Sequence, residues 1–73
     1  MITADGFEQA FIGVGRQFNK ELAIYDRGKC IKILSQNMPS DEAEEYFEFN
    51  VVGSYVGELT PVFVDLAAGF EDV

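Results

Sequence analysis

Five carboxylates fall within eight consecutive residues: Asp41, Glu42, Glu44, Glu45 and Glu48. On a helix, Glu44 and Glu48 share one face, with Asp41 one turn before them. A row of this kind can engage a basic partner or imitate the phosphates of a nucleic acid. It can equally be a solvated helix face whose first-turn acids complement the positive end of the macrodipole. A third arrangement is internal, because Arg27, Lys29 and Lys32 are three of the five bases in the chain. An antiparallel helix carrying them would set charge against charge, each exposed pair contributing on the order of 0.5 kcal/mol.

Asn50 belongs to the same stretch. At helical spacing it joins Ala43, Phe47, Val51 and Ser54 on one stripe, so the amide is expected among core-facing residues. A buried amide without partners costs roughly 1–3 kcal/mol. Asn50 is therefore expected either to tie the helix to the glycine-rich exit turn or to meet a partner directly. The aromatic set Tyr46, Phe47, Phe49 and Tyr55 wraps more than one helix face. Phe49, Val52 and Val56 form a second apolar stripe, beyond what one small core absorbs, and could serve as a homodimer contact.

Other chemistry is sparse. The chain has no His and one cysteine, which removes internal disulfides and Cys-based zinc sites. Cys30 falls on an apolar stripe beside Ile31 and reads as a core thiol. Gly13-Val14-Gly15 lacks the capped helix a phosphate loop requires. Glu48 and Glu58 could form an acid/base pair or a cation site, but nothing in their spacing requires it. The terminal Glu71-Asp72-Val73 only loosely resembles a peptide for carboxylate capture. No catalytic residue, metal ligand or cofactor is expected, and the chain reads as a non-enzyme.

Residues 10–18 alternate, and their two glycines disfavour a helix; they predict a strand bulged or closely approached at the glycines. That alternation places Ile12, Val14 and Arg16 opposite Phe11, Gly13 and Gly15. A helix from Asp5 to Gly13 competes, since Phe7, Ala10, Phe11 and Val14 also fall at helical spacing. A hairpin loop at Asn19-Lys20-Glu21 leads to a short strand at Leu22–Tyr25. Asp26 caps a first helix that extends to about Gln36, and Pro39 cannot continue it. Ser40 is expected to cap the second helix, which runs to Gly53 or Val56. After a turn at Gly57–Thr60, Pro61–Leu66 reads as a third strand, and Ala67–Val73 as a frayed tail. The order β-β-α-α-β predicts a single α+β domain over 1–73, a small three-stranded sheet covered on one face by a helical hairpin.

Seventy-three residues, 48% of them apolar and including seven Phe and three Tyr, suit one folded core. Thirteen acids oppose five bases, for a net charge of −8. That balance argues against direct nucleic-acid binding and against docking on anionic membranes. A basic protein partner, a dissolved cation or simple solubility fits better. Met1–Asp5 has neither a basic nor an apolar leader character, and no apolar run reaches spanning length. A soluble, cytoplasmic protein is expected.

The runs Ala4-Asp5-Gly6-Phe7-Glu8-Gln9-Ala10-Phe11-Ile12-Gly13-Val14-Gly15 and Glu45-Tyr46-Phe47-Glu48-Phe49-Asn50-Val51-Val52-Gly53 are distinctive, as are Val56-Gly57-Glu58 and Thr60-Pro61-Val62-Phe63. Together they resemble a group of short acidic proteins of tailed bacteriophages and bacterial genomes. Ser54 stands where that group often has Ala. The resemblance covers most of the chain and implies a phage or prophage accessory protein, acting in the host cytoplasm, of a class rich in binders of host proteins. No activity follows from it. The expected function is a protein-binding module acting through Asp41, Glu44, Glu45, Glu48, Phe49, Asn50 and Tyr55. An inhibitor of a host protein or a nucleic-acid mimic would be its specific forms. The alternative is an assembly subunit forming a homo-oligomer through Phe49, Val52 and Val56.

Overall fold

A computed structural model describes residues 1–66. The tail expected at 67–73 and its terminal carboxylate lie outside the described residues. A short 3-10 turn at Glu8–Ala10 leads into β1 (Phe11–Gln17), followed by β2 (Lys20–Asp26), α1 (Arg27–Leu34) and α2 (Ser40–Tyr46). A π turn at Phe47–Val51 and a 3-10 turn at Val52–Ser54 prolong α2 before β3 (Val62–Val64). The sheet order is β1-β2-β3, with β1 antiparallel and β3 parallel to β2. The fold is α+β in the expected order, the two helices forming the crossover that a parallel strand pair needs.

Local chemistry accounts for most boundaries. The Lys29 N–H donates to Asp26 Oδ1 at 3.2 Å, capping α1 as expected. Ser40 does not cap α2. It is the first helical residue, and the Pro39 carbonyl accepts from the Ala43 N–H at 2.8 Å. Proline before the first turn suits a place where an N–H would go unbonded.

The hairpin is tighter than the spacing predicts: only Phe18 and Asn19 separate the strands, and Phe18 takes a left-handed φ of 56°. In β1 the register shifts between Phe11 and Gly13, so that Phe11 pairs with Tyr25 and Val14 with Ala23. Ile12 is the extra residue of a bulge, and it brings Phe11 onto the same face as Val14. Strict alternation places them on opposite faces. At Gly15 a Cβ would stand 2.9 Å from the Ile24 Cδ1, the close approach expected of a strand glycine.

The core gathers Ala4, Phe7, Ala10, Ala23, Tyr25, Cys30, Phe47 and Val51, with Phe63 and Tyr55 packed against it. Phe47 is wholly buried and meets Phe7 at 6.3 Å and Phe63 at 5.0 Å, edge to face. The Tyr25 hydroxyl accepts the Ala4 N–H at 2.8 Å and fastens the N-terminal segment to the sheet.

Candidate functional site

The acidic run lies on α2 and the π turn. Ala43, Phe47 and Val51 face the core, and every carboxylate of the run is exposed. The π turn closes with the Val52 N–H on the Phe47 carbonyl, five residues back. Spreading more residues over each turn slows the rotation of the side chains. Val51 therefore comes round to the core where an α-helix would bring Asn50 close to it. Asn50 is exposed, correcting the expectation of a core-facing amide. Ser54, on the same stripe, bonds only locally, its Oγ donating to the Val51 carbonyl three residues back at 2.8 Å.

Arg27 breaks the acidic row. Its guanidinium reaches Glu48 at 2.9 Å, Asp65 at 3.4 Å and Glu44 at 3.6 Å, joining the start of α1 to the second helix and to the end of β3. The hydrogen bond to Glu48 raises the Arg27 pKa above the ordinary arginine value, partly opposed by burial. Lys29 and Lys32 do not join it: with Gln9, Ile33 and Gln36 they border a separate depression. Glu48 and Glu58 are bonded to different bases, since Glu58 pairs with Lys20 at 3.5 Å.

Asp41, Glu42 and Glu45 make no ion pair among the described residues. Glu45 and Phe49 form a ridge between two open depressions. One, of about 400 Å³, is lined by Met38, Glu42, Glu45, Tyr46, Phe49 and Asn50. The other, of about 350 Å³, is lined by Asp41, Glu44, Glu45, Glu48 and Phe49. Phe49 is 76% exposed, although it stands in the middle of a helix rather than at a chain end. Six of the seven residues singled out from sequence thus come together.

Tyr55 does not join them. It packs against Phe63 at 6.3 Å, and burial, then Asp5 and Tyr25, push its phenol pKa up. Met38, Glu42 and Tyr46 join the site from outside those seven, Glu42 from the acidic run and Tyr46 from the aromatic set, while Met38 was not singled out. Glu42, Glu45, Tyr46 and Phe49 follow the i, i+3, i+4, i+7 spacing of one helix face, a signal available in the sequence.

Chemically this surface can pair with cations and cover apolar groups. Among the described residues no three metal-ligating side chains converge, and no helix is long and apolar enough to cross a membrane. Cys30 is buried, and burial, then Asp26, push its thiol up to about 11, leaving it a poor nucleophile. No family model, curated protein or solved structure matches the chain.

Proposed function

We propose that this chain is a non-enzymatic protein-binding module whose Glu45–Phe49 ridge grips a basic, partly apolar segment of another protein. The observation that carries this reading is Phe49, a largely exposed phenylalanine set among carboxylates of which Asp41, Glu42 and Glu45 make no ion pair among the described residues. An aromatic anchor flanked by Asp41, Glu42 and Glu45 suits a partner presenting Arg or Lys beside an apolar side chain, through cation–π and charge-assisted contacts. Imitation of a continuous phosphate row fits less well, because Arg27 occupies Glu44 and Glu48. A phage accessory protein directed at a host protein is the setting the sequence resemblance supports. Oligomerisation through Phe49, Val52 and Val56 fits less well: a two-fold contact there would bring the Glu45 and Glu48 carboxylates of both copies together.

The test is affinity capture from bacterial lysate, with Asp41, Glu44, Glu45 and Glu48 all changed to Ser in one control and Phe49→Ser in another. A captured protein that is lost from both controls, and lost from the parent as salt rises, is the expected outcome. Capture unchanged in either control refutes the ridge as the binding surface.

A further inference from the structure

We propose that the depression on the Met38 side of the ridge is a guanidinium site, which takes one arginine side chain of the partner over the Phe49 ring, its edge toward Glu42 and Glu45. This rests on the ridge reading above and chooses between the Arg and Lys that reading leaves open. The depression encloses about 400 Å³ and is lined by Met38, Glu42, Glu45, Tyr46, Phe49 and Asn50. Two of the six are carboxylates and none is basic, so the lining is negative and its complement is a cation. Two more are aromatic, Tyr46 and Phe49, 45% and 76% exposed, and their faces suit a delocalised cation. Among the described residues the side chains of Glu42, Glu45, Tyr46 and Asn50 make no hydrogen bond or ion pair, which leaves their oxygens available as acceptors.

The π turn supplies one of those acceptors. A regular α-helix would carry Asn50 toward the core, whereas the π turn sets it outside, beside Phe49. Single π turns inside helices are frequent at functional sites. Hydration and shape select Arg over Lys. A guanidinium is planar and weakly hydrated, and it brings five N–H donors to scattered acceptors while its face lies on a ring. An ammonium is compact and strongly hydrated, and an open depression does not strip its water. The same helix already shows this choice on its other side. There Arg27 forks to Glu48, Asp65 and Glu44 at 2.9, 3.4 and 3.6 Å, whereas Lys29 and Lys32 make no ion pair among the described residues.

The test is an NMR titration of the isotope-labelled full chain with three blocked dipeptides: N-acetyl-leucyl-arginine amide, its lysine analogue and its citrulline analogue. Citrulline keeps the shape of arginine without the charge. The arginine peptide should shift the signals of Glu45, Tyr46, Phe49 and Asn50 with a Kd of about 1–10 mM, as suits so small a ligand. The lysine peptide should bind about fivefold more weakly, and the citrulline peptide should not saturate. Phe49→Leu, which keeps the apolar bulk, and Glu45→Gln should each weaken the arginine peptide about threefold or more, whereas Lys32→Gln should not. Circular dichroism confirms the fold of each variant. Arginine binding undiminished in both Phe49→Leu and Glu45→Gln overturns the site. Arginine and lysine peptides that bind alike at these residues overturn the guanidinium site alone and leave a basic partner on the ridge. Absence of these shifts with the arginine peptide at about 50 mM also overturns the site, and capture from lysate then judges the ridge reading independently.

Discussion

Replacing Arg27 with Met keeps the aliphatic stem and deletes a cation that joins α1, the second helix and the end of β3. Its three carboxylate partners are 61%, 46% and 76% exposed (Glu44, Glu48 and Asp65), so each pair belongs to the weak surface class. Such pairs contribute about 0.2–1 kcal/mol each. The 2.9 Å hydrogen bond to Glu48 should lie at the upper end of that range and the other two at the lower. Removing the cation also leaves Glu44 and Glu48 repelling one turn apart, a further ~0.2–0.5 kcal/mol. The total is about 1–2 kcal/mol, which in a domain this small lowers the melting temperature by roughly 5–15 °C. Paired melts of parent and Arg27→Met at about 0.01 M and about 1 M salt provide the check, because screening shortens from about 30 Å to about 3 Å over that interval. The deficit should be largest at low salt and shrink by more than half at high salt. A change below about 2 °C, or one indifferent to salt, would refute Arg27 as an electrostatic tie. The same variant frees two carboxylates beside the ridge, so a captured basic partner should bind Arg27→Met more tightly than the parent.

Phe47→Ala removes the wholly buried ring at the centre of the core and should cost about 3–5 kcal/mol. Against a total near 4–11 kcal/mol for a chain of this length, urea titration should find it largely unfolded or close to it. Phe18→Gly should behave oppositely. It relieves a left-handed backbone at a side chain 86% exposed, and a gain of about 0.5–1 kcal/mol is expected after the entropy cost of glycine. A loss in urea titration would mean that the ring packs against something. Cys30 gives a pH signature. The fold stabilises its neutral thiol, so that contribution is complete below the ordinary pKa of 9.0 and is lost as pH rises through about 11. Parent and Cys30→Ala should converge in urea midpoint across that window, and parallel curves would exclude the thiol as the cause.

Features governed by neighbours in the chain were legible from residue types and spacing alone. Asp26 starts a helix because its carboxylate reaches an N–H three residues ahead, and Pro39 separates the helices because it has no N–H to give. Apolar alternation marks the hairpin, glycine permits the close approach at Gly15, and acids gather at the start of α2 where the dipole favours them. These rules also indicated the exposed acidic surface and the surplus of aromatics around it.

The phases of the elements and the partners of their side chains arise only when whole elements pack. The bulge at Ile12 adds one residue to a period of two, and the π turn slows a period near four. Each leaves the local pattern intact while changing the face on which the following side chains fall. That is why Phe11 joined the face of Val14 and Asn50 turned outward. Arg27, rather than Lys29 or Lys32, met the acids because it begins α1 where the second helix and the end of β3 converge, a proximity between residues 21 and 38 positions apart. Spacing along the chain encodes a helix face, but contact across the fold depends on how whole elements pack. Tyr55 was therefore drawn to Phe63 and the core, and Phe49 was left outside.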